Sequence, residues 1–159
     1  MNRLILGAGK WTEKKKGDTF CDIRPFENID IVHDLNITPW PWADNSFMHI
    51  SALHIVEHLN DLISFMDECW RVLKPGCSVY IETPEAGSNF DLTHCDPTHK
   101  RCFRSYTWSN YFSPEGVRDF GYTQKAWCML KQEAKEGILY IHASTIKMYK
   151  VNELIENNY

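Results

Sequence analysis

Three groups of residues have types and spacing that could do chemistry. The first is the Gly-x-Gly turn Gly7-Ala8-Gly9 with two isolated carboxylates, Asp22 and Asp34. Glycines let a backbone approach a ligand closely, and a carboxylate can accept hydrogen bonds from a pair of sugar hydroxyls or an exocyclic amino group. The second is His54-Ile55-Val56-Glu57-His58, where histidine can move a proton near neutral pH. The third is Thr93-His94-Cys95-Asp96-Pro97-Thr98-His99-Lys100-Arg101, followed by Phe103, Tyr106, Trp108, Tyr111 and Phe112. A ribbon of this kind is suited to covering a substrate.

Each group also has an ordinary reading. Gly7 and Gly9 serve equally for a tight turn, Asp22 and Asp34 for turn or cap positions, and Glu57 and His58 for capping or orienting the next helix. The aromatic residues of 103–112 fit a stacking surface for a planar molecule, core packing, or a homodimer contact. His94, Cys95, Asp96, His99 and Cys102 are competent metal donors. Their spacing matches no closed structural site, and no metal is assigned to them.

The elements that must position these residues alternate between short apolar runs and turns. Residues 3–7, 18–23 and 30–33 read as strands, and Phe47 to Leu53 as a fourth. From Asn60, taken as an N-cap, Leu62, Ile63, Met66, Trp70 and Leu73 recur at helical spacing until Pro75-Gly76 stops the helix. Ser78 to Thr83 forms a fifth strand, with Val79 and Ile81 on one face and Tyr80 and Glu82 on the other. Ser113-Pro114-Glu115 opens a short helix that runs to about Gly121. Two further strands, around 125–132 and 138–148, are joined so tightly that they must pair antiparallel. The expectation is a Rossmann-like, doubly wound, mostly parallel α/β sheet with a C-terminal antiparallel hairpin. In such a sheet ligands bind beyond the carboxyl ends of the strands. Gly7 and Gly9, Asp22, Asp34 and His54 follow four successive strands there, a coincidence harder to assign to chance than any one of them.

The 159 residues fit one domain, expected over 1–159 with a lid-like insertion at about 85–112. A net charge of -4 gives no global attraction to nucleic acid or anionic lipid. The run Lys14-Lys15-Lys16 reads as a solvated loop. Six cysteines without a CxxC motif or a leading apolar segment read as reduced thiols of a cytoplasmic protein.

In its ordered motifs the sequence resembles the class I S-adenosylmethionine-dependent methyltransferases, in their small type-11-like branch. The motifs are Leu-Ile-Leu-Gly-Ala-Gly (4–9), Cys-Asp-Ile-Arg-Pro (21–25), His-Asp-Leu (33–35), Pro-Trp-Ala-Asp-Asn-Ser-Phe (41–47), His-Ile-Val-Glu-His-Leu (54–59) and Arg-Val-Leu-Lys-Pro-Gly (71–76). The resemblance implies S-adenosylmethionine as cofactor. It implies Gly7, Ala8 and Gly9 cradling the methionine part, Asp22 on the ribose, Ile23 packed on adenine, and Asp34 with Leu35 at the adenine edge. It further implies methyl transfer, to an acceptor that the sequence does not identify and that the net charge makes a small molecule rather than nucleic acid. His54 and His58, beside the expected methyl position, and Asp96 and His99, in an Asp-Pro-x-His-Lys-Arg piece that recurs in the resembled branch, are the candidate catalytic residues.

Two features depart from the family pattern. Lys10-Trp11 stands where a third glycine is usual, and only twelve residues separate Gly9 from Asp22, so the first helix should be very short or missing. The chain also opens on its first strand, with no helix ahead of it to close over the cofactor. A nicotinamide-dinucleotide domain would share the Gly-x-Gly and the acidic residue, but needs the third glycine and further βαβ units. A non-catalytic binding or scaffolding protein on the same fold is the other alternative.

Overall fold

The structure is a computed structural model that describes residues 2–87 and 94–147. Among the described residues seven strands form one sheet: β1 (Arg3–Leu6), β2 (Asp18–Asp22), β3 (Ile31–Val32), β4 (Phe47–Leu53), β5 (Leu73–Pro84), β6 (Trp127–Lys135) and β7 (Ile138–Thr145). A 3-10 turn at Val56–His58 follows β4, then α1 (Leu62–Val72); α2 (Ser105–Phe112) and α3 (Pro114–Phe120) lie between β5 and β6. The sheet order is β3-β2-β1-β4-β5-β7-β6, parallel from β3 to β5 and antiparallel through β7 and β6. This is the expected mostly parallel sheet with its hairpin at one edge. The strand order reverses at β1 and β4, which sets the crevice between them.

The alternating sequences of β4, β5 and β7 divide the sheet into two unlike faces. Leu4, Ile50, Val79 and Ala143 are in register on one face, as are Leu6, Ala52, Ile81 and Ile141, and all are buried. Leu62, Phe65, Met66 and Cys69 of α1 and Trp108 and Phe112 of α2 join the same core. The opposite face presents Arg3, His49, Ser51, Tyr80, Glu82, Tyr140 and His142, all partly exposed, with a small cluster of Ile5, Ala8 and Phe20 at its β1–β2 end. No helix lies between β1 and β2 or between β2 and β3, so the short first connection carries only turns.

Several boundaries differ from the sequence reading. Asp61, not Asn60, caps α1, accepting from the N–H of Ile63 at 2.9 Å and of Ser64 at 3.3 Å. The N–H of Asn60 instead donates to Asn36 Oδ1 at 2.8 Å. The helix stops at Val72, and β5 starts at once at Leu73. Lys74 precedes a proline and is therefore biased to extended backbone, which ends the helix before Pro75 itself. The third strand shortens to Ile31–Val32, because Asp30 turns its carboxylate to the N–H of Phe20 at 2.7 Å and to Lys14. β6 runs on to Lys135, so the hairpin closes over Glu136-Gly137.

The segment expected as a lid-like insertion at about 85–112, of which 88–93 lie outside the described residues, contains α2, and Phe103, Trp108 and Phe112 lie in the core. Tyr106 remains exposed. Ser113 caps α3, accepting from Gly116 N at 3.1 Å, and Gly121 ends it, as expected. All six cysteines are in the thiol form. Among the described residues no helix is long and apolar enough to cross a membrane.

Candidate active site at the strand ends

The glycine turn leaves β1 with Gly7 and Gly9 both at φ +63°, a conformation that disfavours residues with a side chain. The two glycines answer different constraints. A Cβ on Gly7 would lie 2.9 Å from Ile55 Cδ1, whereas one on Gly9 would meet nothing within 4 Å. Gly7 is therefore fixed by packing against the β4 loop. Gly9 leaves open space above the strand ends.

Asp22 binds this turn to β2. Its Oδ2 accepts from Gly9 N at 2.9 Å and its Oδ1 from Arg24 N at 2.9 Å, while the residue is 6% exposed. Ala8 N donates to Cys21 O at 3.1 Å, and Asn28 Nδ2 to Gly9 O at 3.0 Å. A carboxylate offers about four acceptor directions, and two are taken here. Ile23 beside it is 61% exposed, an apolar face turned to solvent.

Asp34 Oδ1 accepts from the backbone and the side chain of Asn36, and these bonds hold its carboxyl below the ordinary range. The side chain of Leu35 is buried in the core, and its carbonyl accepts from Trp40 Nε1 at 3.2 Å. Any contact of Leu35 with a ligand is therefore left to its backbone.

The four candidate catalytic residues come together on the neighbouring side of the crevice. His54, Asp96 and His99, with Pro84, Cys95 and Pro97, line an open cleft of about 390 Å³. His58 packs edge-on against His99, ring centroids 4.7 Å apart. His54 sits at φ +51°, a strained conformation for a residue with a side chain, and its N–H donates to Glu82 O at 2.9 Å. Glu57 Oε1 faces its Nδ1 at 3.4 Å, and this interaction raises the imidazole above its ordinary pKa against the opposing effect of burial.

Glu57 itself is 1% exposed, and it does not cap α1. Its Oε2 accepts from Thr83 Oγ1 at 3.1 Å, and its backbone carbonyl accepts from Lys100 N at 2.8 Å and Arg101 N at 3.3 Å. These bonds fix the ribbon 94–104 over the 3-10 turn. Thr98, which the sequence reading did not single out, ties Asp96 to His58: its Oγ1 is 2.6 Å from Asp96 Oδ1 and 3.0 Å from His58 Nδ1. The hydroxyl and amide of Thr98 hold the Asp96 carboxyl low. The signal for Thr98 was the sequence Asp-Pro-Thr, in which a threonine two residues after an aspartate closes a local turn.

Two of the recognised motifs prove to be scaffolding. Arg71 of Arg-Val-Leu-Lys-Pro-Gly donates to both oxygens of Glu68 at 2.8 and 2.7 Å, to Asp44 Oδ1 at 2.8 Å, and to the carbonyls of Trp42 and Trp40. Glu68 Oε2 also accepts from Trp40 N at 2.6 Å. Burial opposes ionisation of Glu68, and Arg71 and Trp40 outweigh it, leaving the carboxyl below its usual range. The network pins the loop Pro39-Trp40-Pro41-Trp42 to α1.

Residues 13–81 match the family model of a methyltransferase domain. A probable S-adenosylmethionine-dependent methyltransferase of Mycolicibacterium smegmatis is 36% identical over 59 residues, a stretch of 37% of this chain and 23% of that protein. An S-adenosylmethionine-dependent methyltransferase of Archaeoglobus fulgidus shares the fold at a TM-score of 0.63 and 16% identity, over 89% of this chain and 85% of that one. The putative methyltransferase solved in complex with the Trm112 methyltransferase activator of Haloferax volcanii does so at 0.68 and 14% identity, over 93% and 83%. A Burkholderia thailandensis 1,6-didemethyltoxoflavin-N1-methyltransferase, solved with that compound and S-adenosylhomocysteine, does so at 0.61 and 13% identity, over 90% and 70%. With the terminal hairpin in place and no third glycine, a dinucleotide-binding domain is disfavoured. Over residues 13–81 this chain is thus similar to the methyltransferase domain family, it spans under a quarter of the length of the curated relative it matches, and it shares its fold with solved S-adenosylmethionine-dependent methyltransferases.

Proposed function

We propose that this chain transfers a methyl group from S-adenosylmethionine to a small-molecule acceptor. The observation that supports the reading is that Gly9, Asp22 and Asp34 follow the ends of β1, β2 and β3 while His54, His58, Asp96 and His99 gather beyond the adjoining β4, with Gly7 of the turn packed against Ile55 of the β4 loop. The residues present fit the cofactor. Gly9 leaves room for a close approach, Asp22 keeps acceptor directions for ribose hydroxyls, Ile23 offers an exposed apolar surface to adenine, and Asp34 with the Leu35 backbone meets its edge. Gly7 and Ala8 complete the turn beneath the methionine part. When bound, the cofactor supplies an electrophilic methyl group on a sulfonium.

The chain's own contribution is to orient the acceptor and receive any proton it gives up. In-line displacement from a reactive donor gains much of its rate from positioning. The cleft of His54, Pro84, Asp96 and His99 is where the acceptor would lie, and the imidazoles there are the proton-accepting groups. The net charge of -4 and the modest cleft favour a small molecule over nucleic acid.

A labelled-donor assay against fractionated metabolites tests the reading. Transfer to a small-molecule fraction that is lost in His54→Ala supports it. Donor binding without transfer to any fraction would favour a non-catalytic protein on this fold.

A further inference from the structure

Glu57, His58 and His99 each bring one donor atom into a group in which all three atoms lie within 4.8 Å of one another. The set is two imidazoles and one carboxylate, the composition with which three-ligand transition-metal sites leave a position for water or substrate. The spacing differs from the His94–Cys102 set weighed from sequence, because Glu57 and His58 come from the turn after β4 and only His99 from the ribbon. Their meeting depends on the backbone bonds from Lys100 and Arg101 to the Glu57 carbonyl.

Two further observations point to a ligand there. Glu57 Oε1 is buried and makes no aligned hydrogen bond; its near neighbour is His54 Nδ1 at 3.4 Å. At that distance the His54 imidazole, whose charged form this carboxylate favours, compensates the buried oxygen only in part, and a cation bound to it would offset the remaining desolvation penalty. The second is the hydrogen-bond chain from Asp96 to His58. The single hydroxyl proton of Thr98 goes to Asp96 Oδ1, so Thr98 Oγ1 must accept from His58 Nδ1. That assigns the proton of His58 to Nδ1 and leaves the lone pair of Nε2 for a ligand. Ring orientation by a hydrogen bond on the other nitrogen is how metal-bound histidines are held.

We propose that Glu57, His58 and His99 bind one divalent transition-metal ion, whose open coordination position faces the cleft of His54, Pro84 and Asp96. An oxygen donor, a hydroxyl or carboxylate of the acceptor, is the chemistry that fills such a position. The ion site stands on its own geometry, and only its role toward an acceptor rests on the methyl-transfer reading. With His58 and His99 committed to the ion, His54 is the remaining imidazole at the cleft.

Cobalt(II) titration of chelator-treated protein, followed by visible absorption, tests the site. One equivalent should bind saturably, with d–d bands and no thiolate charge-transfer band. His58→Gln and His99→Gln should each weaken binding at least about tenfold, Thr98→Val by about tenfold to a hundredfold, and Thr98→Ser should restore it. Thr98 is exposed, so its variants remain interpretable if a histidine variant does not fold. The proposal is overturned if no saturable binding occurs below millimolar cobalt, or if affinity is unchanged in Thr98→Val and His99→Gln. A thiolate band abolished by Cys102→Ser would likewise overturn it, because it would place the ion at the exposed pair His94 and Cys102, whose Nε2 and Sγ are 3.7 Å apart. S-adenosylmethionine titration of the metal-free wild type is the separate readout. Its failure would remove the methyl-transfer reading and leave the cobalt result to decide the ion site.

Discussion

The main-chain N–H of Gly9 donates to Asp22 Oδ2 across 2.9 Å, so the turn after β1 and the carboxylate that ends β2 form one unit. The same carboxylate receives the N–H of Arg24. Its position is thus set by two backbone bonds before any ligand arrives, which is what a preorganised ribose acceptor needs.

The two glycines of this turn should respond differently to substitution. Gly7→Ala combines backbone strain with a collision at Ile55 and should cost about 3 kcal/mol. Gly9→Ala carries only the backbone strain, about 1 kcal/mol, and should instead weaken cofactor binding by filling the open space. Urea unfolding midpoints check both values. The double variant Gly7→Ala/Ile55→Ala should be less destabilised than the sum of its singles.

Much of this arrangement was legible because its causes are local. β4 ends where expected, since Ile50 and Ala52 alternate with the more exposed His49, Ser51 and Leu53, and α3 is bounded by Ser113-Pro114 and Gly121, whose cap chemistry needs no tertiary information. α2 was not legible. Its flanking residue Arg104 is no typical cap, and Thr107 Oγ1 accepts the Arg104 N–H only at 3.4 Å. Tertiary burial of Trp108 and Phe112 must therefore supply most of its stability. The same limit applies to the site. Each candidate residue could be named from its type and place, but the burial of Glu57 and the Asp96–Thr98–His58 chain depend on a ribbon folding back across some forty residues.

Arg71 should matter more for stability than for ligand binding. Arg71→Ala leaves Glu68 nearly buried with only the Trp40 amide as partner, a loss of about 3 kcal/mol. Arg71→Lys keeps the charge but not the fork and should lose a smaller amount. Chemical denaturation of the two variants against wild type checks the order.

On the acid side, Asp18 should contribute a defined part of the stability curve. Arg3 Nε and Nη2 donate to its two oxygens at 2.8 and 2.7 Å, and this pairing holds the carboxyl below its ordinary value. Because the folded pKa is depressed, the unfolded chain takes up the proton first as pH falls. The contribution is present above the unfolded value of about 3.9 and is lost as pH drops through the lower folded value. Asp18→Asn should lower stability at neutral pH by about 1 kcal/mol, the half-exposed Arg3 limiting the gain, and flatten the acid limb. Thermal melts between neutral pH and the acid transition measure this.

Isothermal titration of the wild type and of Asp22→Ala with S-adenosylmethionine decides whether this crevice holds the methyl donor. The wild type should bind one equivalent, and Asp22→Ala should bind more than about tenfold more weakly, a difference of at least about 1.4 kcal/mol. No binding by the folded wild type, or equal affinity in the two proteins, would contradict the assignment of this crevice to the methyl donor.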